Sequence, residues 1–133
     1  MTTTKTLTAI ALCMASAFAS AQTMTKAEYD AAKDRIELEH KNDKKACDAM
    51  KDNAKDICNE EAKGKQRVAK AELENKYKAT PSNARKLEEA KADSTYEIAK
   101  EKCEDQKGDA EKVCKSEAKA AHESAVKAMK AKS

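Results

Sequence analysis

The sequence predicts an all-α fold: two duplicated αα-hairpins, each clasped by a disulfide, forming a loose four-helix bundle or an elongated helical pair. Three observations lead there. Beyond an apolar leader the chain is dominated by Ala, Lys, Glu and Asp, with only one Pro and two Gly in 133 residues, and Ala, Lys and Glu lose little on entering a helix. The segment CDAMKDNAKDIC, Cys47 to Cys58, returns as CEDQKGDAEKVC, Cys103 to Cys114. Turn-forming residues fall midway between the two cysteines in both copies.

The segment from Met1 to Ala21 reads as an export signal. Lys5 supplies a short positive flank, and LTAIALCMASAFA is an apolar stretch too short to span a bilayer. Ala19, Ser20 and Ala21 then form a small-x-small site that places cleavage between Ala21 and Gln22. A retained anchor is the alternative. Lipidation at Cys13 is disfavoured by the bulky Leu12 before it. Cleavage removes Cys13 and leaves four cysteines, an even number that favours disulfides in an oxidising compartment. The expected location is therefore periplasmic or secreted.

The exported part carries 26 basic against 24 acidic side chains once Lys5 is gone, a net of +2. The signs are finely interspersed, as in KAELENKYK, so no basic block suits nucleic acid. No later window is apolar enough to span a membrane, which leaves at most peripheral membrane contact. Large apolar side chains are scarce. A core of alanines gains much less than one of leucines at roughly 25 cal/mol per Å² buried, so such a fold needs further support.

Sliding the chain along itself until Cys47 falls on Cys103 also places Cys58 on Cys114. Between Cys47 and Lys63 the identical positions are then Cys47, Lys51, Ala54, Cys58, Glu61, Ala62 and Lys63. This is an internal duplication. It predicts a first hairpin over 22–79 and a second over 80–133, with helices at about 25–51, 54–79, 83–107 and 110–131. Gly108 and Asp109 suit the end of one helix and the cap of the next; Asp52 and Asn53 can do the same in the first copy. Between the hairpins, Thr80 can cap with Pro81 as first helical residue, or Ser82 slightly later. One narrow stripe is expected on each helix. Tyr29, Ala32, Ile36, Cys47 and Met50 line the first, interrupted by His40 and Asp43. Cys58, Ala62, Ala69, Leu73 and Tyr77 line the second. Ala92, Tyr96, Ala99 and Cys103 line the third, and Cys114, Ala118, Ala121, Ala125 and Met129 the fourth.

The cysteine spacing constrains the chemistry. On one unbroken helix, Cys47 and Cys58 would stand about 16 Å apart, whereas a disulfide needs Cα atoms within about 7 Å. A turn at Asp52–Asn53 brings them face to face, as a turn at Gly108–Asp109 does for Cys103 and Cys114. Turn and spacing thus agree on Cys47–Cys58 and Cys103–Cys114, one of three connectivities that four cysteines allow. Each bridge closes a loop of about a dozen residues and contributes on the order of 3 kcal/mol. Zinc is a weaker reading, since its ligands usually come as C-x2–4-C pairs. A redox pair would show C-x-x-C beside a βαβ pattern. His40 and His122 read as surface or seam residues, and the three tyrosines as anchors of helix contacts. No catalytic constellation, cofactor site or metal site is expected.

The paired segments ACDAMKDNAKDICNEEAKGK and KCEDQKGDAEKVCKSEAKAAH, behind an export signal and within Ala/Lys/Glu-rich helices, resemble a family of small exported Gram-negative proteins. These helical proteins with paired C-x10-C motifs are often labelled TolA-like or cell-envelope biogenesis proteins. The resemblance implies an envelope role and offers no catalytic residues. The expectation is a non-enzymatic structural or interaction protein of the envelope, with an envelope protein or a second copy as partner. The rival is a stress-protective, holdase-like protein whose amphipathic helices, coiled-coil in composition, coat membranes or unfolding clients.

Overall fold

A computed structural model describes residues 24–131. The expected export signal and cleavage site, at Ala21 and Gln22, lie outside the described residues. Four helices follow one another: α1 (Lys26–Cys47), α2 (Asp52–Tyr77), α3 (Pro81–Cys103) and α4 (Asp109–Ala131). Each spans roughly 33–39 Å at 1.5 Å per residue.

The helix starts have local causes. Thr25 caps α1: its hydroxyl accepts the Glu28 N–H at 3.2 Å, and the Glu28 carboxylate accepts the Thr25 N–H at 2.8 Å. This reciprocal box satisfies two otherwise orphaned donors. Thr80 caps α3 by accepting the Asn83 N–H at 3.1 Å, and Pro81 stands at the first helical position, where its missing N–H costs nothing. The two clasp turns share an unusual backbone feature. Asp52 and Gly108, equivalent positions of the two copies, both take positive φ, +52° and +65°. Asp tolerates this left-handed conformation better than most residues, and Gly adopts it freely.

Three expectations about the turns need correction. α1 and α3 end at Cys47 and Cys103, ahead of the expected positions 51 and 107, and a short non-helical segment follows each. Met50 consequently leaves the inner face and is 45% exposed. Asn53 does not cap α2. Lys51 holds the cap position with no side-chain bond, while Asn53 donates to α3, to the Glu101 carbonyl at 2.9 Å, and to the Asp105 carboxylate just beyond it at 2.8 Å. Asp109 is the first residue of α4 and not its cap.

The helices pack serially: α1 on α2, α2 on α3, α3 on α4. Among the described residues α1 touches neither α3 nor α4, and α2 does not touch α4. The expected inner stripes are in place, except that Ala121 joins Met50 in being exposed. His40 and Asp43 belong to the α1 stripe; both are half-buried against α2. The middle helices carry a second contact face, against each other. There Gly64, Ala90 and Ser94 are buried, with Asn53 at one end of the antiparallel seam and Asn83, bonded to the Lys78 carbonyl at 2.8 Å, at the other.

Gly64 is where that seam is tightest. A Cβ built there would lie 3.0 Å from the Ser94 Cβ and 3.4 Å from the Ile98 Cδ1. Ser94 donates its hydroxyl proton to the Ala90 carbonyl, 2.6 Å away in its own helix, and so brings no unpaired donor to the contact. Gly64→Leu should force α2 from α3 and lower stability by about 1–3 kcal/mol, read as a lower thermal midpoint. Gly108→Ala, with open space around it, should cost about 1–2 kcal/mol for a different reason, the left-handed backbone.

Candidate functional site

The four cysteines form two bridges, Cys47–Cys58 and Cys103–Cys114, each with Cα atoms 5.6 Å apart. Each joins the last residue of one helix to the second turn of the next. Cys47 is fully buried and Cys103 is 1% exposed. With their sulfurs bonded to each other, these cysteines offer no thiolate to a metal or a redox partner. Among the described residues no group of three or more His, Cys, Asp or Glu converges as a metal site. Disulfides of this kind belong to an oxidising, non-cytoplasmic compartment. No helix among the described residues is long and apolar enough to cross a membrane.

Both bridges lie at the same end of the array, because α1 and α3 run towards it and α2 and α4 leave it. Charges lace this end. Lys55 meets Asp48 at 3.1 Å across the first turn, and Lys115 meets Glu104 at 3.2 Å across the second. Lys102 of α3 reaches Glu61 of α2 at 3.1 Å. All these side chains are well exposed, so each pair is worth at most a few tenths of a kcal/mol to about 1 kcal/mol. Asn53 differs: half-buried, it ties the first clasp turn to the end of α3 by two hydrogen bonds.

Glu101 sits in the middle of this end. Partial burial pushes its carboxyl above the usual range, and the negative charges of Glu104, Glu60 and Asp56 push the same way. Lys115 is shifted oppositely in chemical sense. Its ammonium is held charged by hydrogen bonds to Glu111 at 2.7 Å and to Glu104.

The two histidines lie in the seams, one of the two places, surface or seam, that the sequence leaves open for them. His40 Nδ1 is 3.2 Å from the Ala62 carbonyl, and since a carbonyl only accepts, Nδ1 carries the proton. His122 Nε2 lies 2.7 Å from the Asp93 carboxylate, with its ring stacked on Tyr96 at a centroid distance of 4.9 Å. The tyrosines anchor helix pairs: Tyr96 holds α3 to α4, and Tyr29 meets Tyr77 at 4.6 Å between α1 and α2, its hydroxyl donating to Glu74.

A further equivalence lies outside the matched cysteine segment. Gln66 donates to the Glu37 carboxylate at 2.8 Å, joining α2 to α1. The equivalent positions of the second copy are His122 and Asp93, the pair that joins α4 to α3. The duplication therefore reaches well along both hairpins, with the chemistry changed and the contact kept. Next to His122 the second hairpin leaves a groove of about 190 Å³ between α3 and α4, walled by Ala92, Ala99, Ala118 and Ala125. It is the space that alanines leave when they face alanines. No family model matches this chain, and neither does a curated relative or a solved structure.

Glu101 supplies a test of the electrostatics. Because its carboxyl is raised in the folded state, the ionised form weakens the fold above the ordinary glutamate range, and this cost disappears once pH falls below that range. Glu101→Gln should therefore raise the thermal midpoint slightly at pH 7, by about 1–3 °C, and the gain should vanish in melts recorded at pH 3.

Proposed function

We propose that this chain is a non-enzymatic interaction module of the cell envelope, exported to the periplasm, where its two disulfides form. The observation that carries the reading is the serial packing. Four clasped helices leave the outer faces of α1 and α4 uncovered, with Leu38 59% and Val113 55% exposed on them. A closed bundle would bury those faces against itself; an open row keeps them for partners. The export signal and the need for an oxidising compartment support the location.

The scaffold suits presentation more than enclosure. The groove between α3 and α4 is shallow and alanine-walled, and the charge is distributed in both signs over every helix. Partner binding would rest on helix-face packing, with the bridges keeping each hairpin preorganised so that little ordering entropy is lost on contact.

Photo-crosslinkers placed at Leu38 and Val113 in cells should give discrete envelope adducts under oxidising conditions, identified by mass spectrometry. Circular dichroism of the purified protein in plain buffer should show a folded helical chain. A chain that is disordered in buffer and turns helical only on drying or with lipid vesicles would overturn this reading and support the coat-forming, holdase-like one.

A further inference from the structure

The two outer faces are the repeat-equivalents of the two faces that meet in the middle of the molecule. Under the shift that carries Cys47 onto Cys103, the α2 face that packs on α3 becomes the outer face of α4: Asn53, Ile57, Gly64 and Ala71 correspond to Asp109, Val113, Ala120 and Lys127. The α3 face that packs on α2 corresponds in the same way to the outer face of α1, with Ser94 at the place of Leu38. In the interior these residues are buried or half-buried; on the outside Val113 and Leu38 stand exposed. The hairpin thus carries two complementary faces, and only one of each is used within a single chain.

We propose that a second copy of this chain docks its α1 against α4 and continues the α2–α3 seam from molecule to molecule. The inference deepens the interaction-module reading by naming a partner, and it rests on that reading only for its biological setting. The antiparallel register of the internal seam, in which Gly64 faces Ser94 and Asn53 reaches Glu101, sets the register of the external one. Ala120 then faces Leu38 of the second copy, with Val113 about 10 Å along the same face of α4. An alanine against a leucine is bulkier than Gly64 against Ser94, so the external seam is the wider of the two, within the range of about 8–10 Å usual for packed helices.

Charge supports the same register. The charges that the outer faces carry where the inner ones do not are of opposite sign at opposite ends of the seam. Asp109 stands where Asn53 stands and Lys45 where Glu101 stands; Lys127 replaces Ala71 and Asp34 replaces Ala90. Glu117 stands at the place of Glu61, and Lys41 at the place of Glu97. Acidic Asp109 and Glu117 lie towards the start of α4 and basic Lys41 and Lys45 towards the end of α1, with Lys127 and Asp34 at the other end, although Lys45 also falls near Lys112, the equivalent of the Asp56 that neighbours Glu101. Parallel docking of the same two helices would set like charges together.

Such a contact is heterologous: the two surfaces differ, so each copy retains one free face of each kind and the assembly is an open row. One helix on one helix falls below about 1,200 Å² of buried surface, the range of weak and transient contacts. Association is therefore concentration-dependent and weakened by salt.

The test is the mass of the purified, oxidised protein by sedimentation equilibrium across concentration at low salt. The unmodified protein should form dimers and higher species. Leu38→Glu spoils one face and Val113→Glu the other, so each variant alone should associate about tenfold more weakly or not at all. An equal mixture of the two should form dimers and stop there, because each supplies the face the other has lost. Both side chains are exposed, so both variants should keep the parent's helical circular dichroism. A helical but monomeric parent at all concentrations overturns the proposal and leaves the envelope-crosslinking reading standing. Either variant dimerising as strongly alone as in the mixture also overturns it, since that is the behaviour of a symmetric contact.

Discussion

Each hairpin depends on a covalent bond placed just beside its turn. The reason is how little else is buried. Among the described residues the buried apolar ones are Cys47, Ala62, Leu73, Ala90 and Cys103, and Leu73 is the one large aliphatic side chain in that set. Full burial of one leucine is worth about 1.5–3 kcal/mol, and an alanine much less. Two bridges closing loops of about a dozen residues contribute on the order of 3 kcal/mol each. The covalent restraint is therefore at least comparable with what these fully buried side chains contribute. Position matters as well as number. A bridge at the first contact past the turn fixes the register of the two helices, and the pairs beyond it, Glu37 with Gln66 or Asp93 with His122, then meet without further guidance.

The duplication turns one solution into an array. The same hairpin occurs twice, joined by the Thr80–Pro81 cap, and the copies contact each other through the second face of α2 and the second face of α3. This arrangement resembles repeat architectures, in which each unit touches only its neighbours and the end faces differ in polarity from the inner ones. Asp34 and Lys127, where the interior has Ala90 and Ala71, are that kind of difference. A molecule that packs in series has edges, and the interaction role proposed above rests on them.

Much of this was legible in the residues. The cysteine pairing follows from two short-range facts, the turn residues at Asp52 and Gly108 and the distance limit of a disulfide, and neither requires knowledge of the rest of the fold. The inner stripes of the helices were readable because Tyr, Leu, Ile and Cys recur at helical spacing. The helix ends were less readable. α1 and α3 stop at Cys47 and Cys103 although the next residues are good helix formers, because the bridge and the left-handed turn residue fix the path more strongly than propensity does. The reciprocal cap of Thr25 and Glu28 was visible as T-x-x-E and is a signal the stripe pattern alone does not use. The α2–α3 seam was the least legible part. Its key residues, Gly64 and Ser94, read in isolation as helix-weakening or polar, and only the close approach of two backbones gives them a role. Ile57, Val68, Leu87 and Ile98 mark a second apolar face on the middle helices, but more thinly than Tyr, Leu and Cys mark the first.

The central claim is that covalent restraint, more than apolar burial, holds the hairpins. Its most direct test is the thermal midpoint of helical circular dichroism for the oxidised protein beside the same protein fully reduced and kept reduced. With both bridges gone the midpoint should fall by more than about 10 °C, or the reduced chain should show no cooperative melt at all. Superimposable melts before and after reduction would contradict the account, because the alanine seams alone would then be sufficient to hold the fold.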